Sequence, residues 1–171
     1  MLALLFINNC TPPKLYYFWY MDTYEQRGKH IFLADDDADD CLLFEDALRE
    51  VCIDSQLTTV NDGQQLMQIL DQVVPPPPDV IFLDLNMPRK NGFECLHEIK
   101  QVAKLKNIPI IIFSTSAQPE TINKVYEEGA YHYICKPGTF QLLKKVIKEV
   151  LSINWTQQPP QPSKENFLLA F

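Results

Sequence analysis

Acidic, hydroxyl and ammonium side chains stand at the ends of four short apolar runs in this chain. Asp84 ends one run, and the adjacent Asp35 and Asp36 end another. Ser114 and Lys136 end the remaining two. If the runs are strands of one parallel sheet, these groups meet at its carboxyl edge, where open α/β sheets bind their ligands. Such a set of groups indicates a site for Mg²⁺ and a phosphoryl group.

The three carboxylates would repel one another at this edge, and their pKa values would rise unless a cation neutralised them. Mg²⁺ meets that need because it prefers oxygen ligands and commonly takes one or two carboxylates, waters and a phosphate oxygen. Asp84 could then act as a nucleophile and accept a phosphoryl group as an acyl phosphate. Lys136 and the Ser114 hydroxyl would stabilise the charge on the transferred oxygens.

Each of these signals is weak when it is taken alone. The acid run at 35–40 is typical of the first turn of a helix, where carboxylates interact favourably with the helix dipole. Ser114 is typical of the end of a strand, and Lys136 before a proline is typical of a turn. Their occurrence at the ends of four strands favours one shared site over four unrelated features.

Strands and helices alternate along the chain from residue 30 onward. Apolar residues recur at helical spacing after each apolar run, and Asn91 and Glu94 have the spacing of a capping box. The pattern predicts a doubly wound, five-stranded parallel sheet of order 2-1-3-4-5, a flavodoxin-like three-layer α/β/α fold whose switch point lies between strands one and three. The predicted strands are at about 30–35, 57–60, 80–84, 109–113 and 131–135.

The same pattern divides the chain into three regions. Residues 28–151 hold the domain, and 152–171 form a proline-rich tail. Residues 1–27 are an N-terminal extension, whose first 20 residues are either a partner-binding arm or a gene-calling extension upstream of Met21. The composition of the tail favours disorder, and the alternative is that its apolar end docks on the domain or on a partner.

Composition narrows the class of partner. The formal net charge is −7 without any cluster of Lys and Arg, which argues against a nucleic-acid-binding surface. Neither apolar stretch in the first 20 residues reaches the roughly 18 residues that a membrane span requires, so we expect no membrane partner. Five cysteines without metal-ligand spacing predict free thiols in a reducing cytoplasm.

Together these residues resemble the receiver domains of bacterial two-component response regulators, in particular the stand-alone regulators of the chemotaxis type. The resemblance covers about residues 28–151, and the string from Asp84 to Gly92 is its most specific motif. The matching motifs are Leu33-Ala34-Asp35-Asp36-Asp37, Leu83-Asp84-Leu85-Asn86-Met87-Pro88 with Gly92, Phe113-Ser114-Thr115 and Tyr133-Ile134-Cys135-Lys136-Pro137.

The resemblance implies a role for each residue at the metal site. Asp84 is the expected phosphoacceptor and a ligand of Mg²⁺. Asp36 and the backbone carbonyl of Asn86 are expected to ligate the ion directly, and Asp35 to hold it largely through water.

The resemblance also implies a switch and its partners. Ser114 and Lys136 are expected to contact the phosphoryl group, and Tyr133 matches the aromatic switch position. The implied donor is a sensor histidine kinase or a phosphotransfer protein, and the implied output is an unidentified downstream protein. A homodimer through helix 4, strand 5 and helix 5 is left open.

We therefore expect a response regulator with no catalysis beyond its own phosphorylation and dephosphorylation. One alternative is an aspartate-nucleophile phosphatase or phosphotransferase, in which a second acid stands two positions after the nucleophile. Asp35 and Asp37 have that spacing, but no insertion is long enough for a substrate cap. Another alternative is a pseudo-receiver that only binds partners, which the intact set of acids disfavours.

Overall fold

Six strands and five α-helices are formed by the residues that the computed structural model describes, 28–72 and 77–171. The strands are all parallel and lie in the order β2-β1-β3-β4-β5-β6. The strands are β1 (His30–Ala34), β2 (Gln56–Val60), β3 (Val80–Leu83), β4 (Ile110–Ser114), β5 (His132–Cys135) and β6 (Leu168–Leu169). The helices are α1 (Ala38–Val51), α2 (Gly63–Gln72), α3 (Gly92–Gln101), α4 (Pro119–Glu127) and α5 (Phe140–Ser152).

The central strands are buried on both faces, and their residues alternate between two apolar cores. Along β3, Val80 and Phe82 face the core that contains the buried residues of α1 and α5. Ile81 and Leu83 face the core that contains those of α2, α3 and α4. This alternation follows from the two-residue period of a strand. The three-layer α/β/α fold and the order 2-1-3-4-5 of the first five strands are confirmed.

Polar side chains cap the N-termini of α1 and α3. Asn91 and Glu94 form the capping box at α3 that their spacing predicts. At α1, the Asp37 side chain accepts hydrogen bonds from the backbone N–H groups of Asp39 and Asp40, at 2.9 and 3.2 Å. The acid run at 35–40 therefore has two parts. Its later acids, from Asp37 onward, cap and begin α1, whereas Asp35 and Asp36 lie before the helix.

The C-terminal tail adds a sixth strand that the sequence did not predict. β6 pairs with β5, with Leu168 opposite Tyr133 and Leu169 opposite Ile134. Phe167 is only 1% exposed and belongs to one of the two cores. The favoured expectation of a disordered tail is wrong for this apolar end, which instead docks on the domain because burying an aromatic ring offsets the cost of ordering the chain.

One of the sequence predictions, the N-terminal extension at 1–27, falls outside the described residues. In the parts of the chain that are described, no helix has the length and apolar character needed to cross a membrane.

Candidate functional site

Backbone hydrogen bonds continue past the ends of the strands and hold the predicted residues at one edge of the sheet. The Asp35 N–H donates to the carbonyl of the last residue of β2 at 3.0 Å. The Asp84 N–H donates to the carbonyl of Ala34 at 2.9 Å, and the Lys136 N–H donates to that of Ser114 at 2.9 Å. The positions of these four functional residues are therefore fixed by the sheet itself.

Three carboxylates meet at the switch point between β1 and β3. Asp35, Asp36 and Asp84 each present an oxygen so that the three oxygens lie within 4.8 Å of one another. Asp35 is 1% exposed and Asp84 is 6% exposed, whereas Asp36 is open to solvent. Burial raises the pKa of Asp35, although a hydrogen bond from Lys136 opposes the rise. This concentration of negative charge favours a bound cation.

The Lys136 ammonium lies among these acids. Its Nζ is 2.7 Å from Asp35 Oδ2, 2.8 Å from Asp40 Oδ2 and 3.9 Å from Asp84 Oδ2. Burial by itself lowers the pKa of Lys136, but the hydrogen bonds to Asp35 and Asp40 outweigh it and raise the pKa overall. The lysine is therefore charged and held by two acids, of which Asp40 was not among the predicted site residues.

Ser114 and Tyr133 meet on the loop that follows β4. Ser114 is fully buried, and its Oγ accepts a long hydrogen bond, 3.5 Å, from the Ser116 N–H. The Tyr133 hydroxyl donates to the Ser116 carbonyl at 2.8 Å, and its ring is also fully buried. The loop residue Ser116 thus connects the predicted hydroxyl with the predicted aromatic switch.

The loop between β3 and α3 orients Asp84 and contains Asn86. The Leu85 N–H donates to Asp84 Oδ1 at 2.7 Å, which leaves Oδ2 on the side of Lys136. The Gly92 N–H closes the loop by donating to the Leu85 carbonyl at 3.0 Å. A Cβ at Gly92 would lie 2.1 Å from the Asp84 carbonyl oxygen, so only glycine allows this close approach.

A second buried acid holds the same loop from the direction of α2. Asp62 is fully buried and pairs with Arg89, which adopts a positive φ of 64°. Asp62 Oδ1 also accepts a hydrogen bond from the Gln65 N–H at 2.8 Å. Burial alone would raise the pKa of Asp62, but the hydrogen bonds from Gln65 and Arg89 lower it overall. The sequence analysis did not identify this pair, because its two residues are 27 positions apart.

The residues fit a hard divalent ion. Three carboxylate oxygens at one point, with Asn86 in the adjoining loop, are the oxygen donors that Mg²⁺ prefers. Asp37, in contrast, caps α1 with its side chain. The phosphatase alternative relied on Asp37 as a second catalytic acid and therefore has no support in the geometry.

Comparison with known proteins decides the family. The response regulator receiver domain matches residues 31–148 of the chain. The chain belongs to the response regulator receiver family. This receiver protein is 33% identical over 139 residues to response regulator Rcp1 of Synechocystis sp., a match that covers 79% of this chain and 94% of that protein. It is 32% identical over 122 residues to two-component response regulator ORR11 of Oryza sativa, covering 71% of this chain and 80% of that protein.

Solved structures agree with the family. The phosphorylated cyanobacterial phytochrome response regulator RcpA superposes on the receiver protein with a TM-score of 0.69 at 34% identity, covering 80% of this chain and 99% of that one. The Mn²⁺-bound form of Rcp1 gives a TM-score of 0.66 at 33% identity, covering 79% and 99%. A divalent metal therefore binds to one relative, and another relative is phosphorylated.

Proposed function

We propose that this receiver protein accepts a phosphoryl group on Asp84 from a sensor histidine kinase or a phosphotransfer protein, in the presence of Mg²⁺, and thereby changes a protein-binding surface. The observation that carries the proposal is the carboxylate cluster. Asp35, Asp36 and Asp84 bring three oxygens within 4.8 Å of one another, and the Lys136 ammonium lies 3.9 Å from Asp84.

The transfer forms one bond and breaks one. An oxygen of Asp84 bonds to phosphorus as the P–N bond to the donor imidazole breaks, and the imidazole keeps that electron pair and takes up a proton. Asp35, Asp36, Asp84 and the Asn86 carbonyl would hold Mg²⁺, which supplies positive charge against the transferred oxygens. The hydrogen bond from the Leu85 N–H fixes Oδ1 of Asp84, so Oδ2 is the oxygen that faces the lysine.

Lys136 has a part in the same transfer. Its Nζ pairs with both Asp35 and Asp40, so this one ammonium balances only one of the two negative charges. The same Nζ lies 3.9 Å from Asp84 Oδ2, so the ammonium would be close enough to contact a phosphoryl oxygen on Asp84. It then stabilises charge at the position where the reaction develops it.

Ser114 and Tyr133 carry the signal away from the site. The phosphoryl group draws the Ser114 hydroxyl toward Asp84, which vacates space beneath the loop after β4 for the Tyr133 ring. Both positions of the ring exist without phosphate, and phosphate shifts their populations toward the inward one. The surface that responds is formed by α4, β5 and α5, which would contact a downstream protein or a second copy of the chain.

The relatives suggest one class of phosphoryl donor to assay first. The relatives RcpA and Rcp1 make a phytochrome histidine kinase the first donor to test, since one of them is named a phytochrome response regulator.

A cytoplasmic location suits the four described cysteines, which are free thiols: Cys41, Cys52, Cys95 and Cys135.

Incubation with Mg²⁺ and a small acyl-phosphate donor tests the proposal. Intact mass should show one phosphoryl group on the native protein and none on Asp84→Asn, because the amide keeps the shape but cannot act as the nucleophile. Asp39→Asn, an exposed acid in the first turn of α1, is the matched control and should be phosphorylated like the native protein. Full incorporation by Asp84→Asn would refute the assignment.

A further inference from the structure

The C-terminal segment 161–169 lies on the surface that the proposed function assigns to output. The Gln161 side-chain amide donates to the carbonyls of Tyr126 and Ala130, at 2.7 and 2.9 Å, at the end of α4. The Tyr126 hydroxyl in turn donates to the Pro162 carbonyl at 3.2 Å. The segment is therefore fixed to α4 by hydrogen bonds before it reaches the edge of the sheet.

Phe167 places the segment in contact with the switch residue. Its ring centroid is 5.0 Å from that of Tyr126 and 6.5 Å from that of Tyr133. The Tyr133 N–H donates to the Phe167 carbonyl at 2.9 Å, and His132 Nδ1 lies 3.2 Å from the same oxygen. One tail residue thus contacts the switch tyrosine through both its ring and its backbone.

We infer that α4 and the free edge of β5 form a binding site for an extended peptide, that the chain's own residues 161–169 occupy it, and that occupancy is coupled to phosphorylation of Asp84 through Tyr133. The ligand class is a strand that runs parallel to β5 and inserts an aromatic side chain at the position of Phe167. This is the pattern of strand addition to a sheet edge, in which the backbone gives affinity and the pocket gives specificity. The coupling, but not the docking, rests on the proposed function.

The coupling has a definite sign. Tyr133 is 0% exposed, and the tail residue Phe167 packs beside its ring. A docked tail therefore favours the inward ring, whose hydroxyl donates to the Ser116 carbonyl. Phosphorylation favours the same inward ring, and two events that favour one state favour each other by an equal factor. Phosphorylation should tighten the tail on β5, and the tail should tighten the phosphoryl site.

The affinity of the full chain for beryllofluoride, an acyl-phosphate mimic, in the presence of Mg²⁺ tests this coupling. Phe167→Ala should weaken beryllofluoride binding by about fivefold or more, a typical coupling between two sites. Gln161→Ala should weaken it less, since it removes two hydrogen bonds of the tail and leaves both cores unchanged. Ile53→Ala is the matched control, because this apolar side chain is 91% exposed and lies outside both the tail and α4, and it should bind like the native protein.

Amide hydrogen exchange supplies the reciprocal measurement. Exchange of the Tyr133 amide, which donates to Phe167, should slow on addition of beryllofluoride by the factor that Phe167→Ala costs in affinity. Gln161→Ala keeps the test valid if Phe167→Ala fails to fold.

Each other outcome has one meaning. A native protein that does not bind beryllofluoride refutes the proposed function and the coupling together. Native binding with no loss in Phe167→Ala or Gln161→Ala refutes the coupling alone, and tighter binding by these variants shows that the tail opposes phosphorylation. A coupling that grows with protein concentration means that the site holds the tail of a second copy, which overturns occupancy by the chain's own tail.

Discussion

Two buried aspartates, Asp35 after β1 and Asp62 after β2, pair with their cations in different ways. Asp35 shares Lys136 with Asp40 and faces the further charges of Asp84 and Asp36. Asp62 pairs with Arg89 and also accepts the Gln65 N–H. The pKa of Asp35 is raised and that of Asp62 is lowered, although burial acts on both in the same direction.

The difference shows how one residue type serves two purposes. The Asp62 carboxylate has both the Gln65 N–H and the Arg89 guanidinium as partners, so its negative charge stabilises the folded loop. At Asp35 the acids outnumber the cation, so the folded state carries electrostatic repulsion that an added ion can relieve. The excess negative charge around Asp35 favours binding of a metal ion. The paired charge of Asp62 favours a fixed conformation of the loop.

The largest effect that separates the two sites should come from Mg²⁺. At an ion concentration about 100 times the Kd, the ion should add about 2.7 kcal/mol to the free energy of unfolding, or roughly 5–10 °C in Tm. Asp36→Ala should abolish most of this gain and leave the metal-free protein equally or more stable, since one repelling charge is gone. A thermal shift that survives Asp36→Ala would place the ion elsewhere.

Removing the cation of the Asp62–Arg89 pair should change the free energy of unfolding by a similar or smaller amount, but by more than an ordinary surface substitution. Arg89→Ala leaves the buried Asp62 carboxylate short of a donor and should lower the free energy of unfolding in urea by about 1–3 kcal/mol. Arg49→Ala is the matched control, because the Arg49–Glu45 pair is largely exposed and should cost under about 1 kcal/mol. Equal losses in the two variants would contradict the structural role of Asp62.

The smallest expected effect is the pH dependence of stability without Mg²⁺, where the two acids should act with opposite signs. The Asp62 pKa lies below 3.8 in the folded state, so its contribution is present above 3.8 and is lost as pH falls through the folded pKa. The Asp35 pKa lies above 3.8, so its unfavourable contribution is relieved as pH falls through the folded pKa toward 3.8. Unfolding curves of Asp62→Asn and Asp35→Asn, each subtracted from the native curve, should therefore slope in opposite directions.

The sequence predicted the site residues that follow strands and missed those that depend on contacts distant in sequence. The ends of apolar runs place Asp35, Asp84 and Lys136 at one edge without any knowledge of packing. The contact between Asp40 and Lys136 joins residues 96 positions apart, and the Asp62 pair spans 27 positions. No local pattern marks such contacts, because only the folded sheet brings them together.

The docking of the tail was predicted only as an alternative, and its strand β6 was missed for a different physical reason. A two-residue strand has no period to detect, and the prolines before it favour an extended or disordered chain. Its position depends on one ring, Phe167, whose burial becomes possible only when Tyr126 and Tyr133 already form the wall it contacts. Sequence patterns report the local preference of a segment, and they do not report a surface that the rest of the fold provides.

The short strand β6 also has a consequence for how the protein behaves at high concentration. Without it, β5 would be an outer strand whose backbone groups, among them the Tyr133 N–H, have no partner on that side. Unpaired edges of this kind pair readily with the edges of other molecules and lead to aggregation. We expect a chain shortened to residue 151 to keep its five-stranded sheet and its carboxylates, yet to aggregate more readily because the edge of β5 is then uncovered.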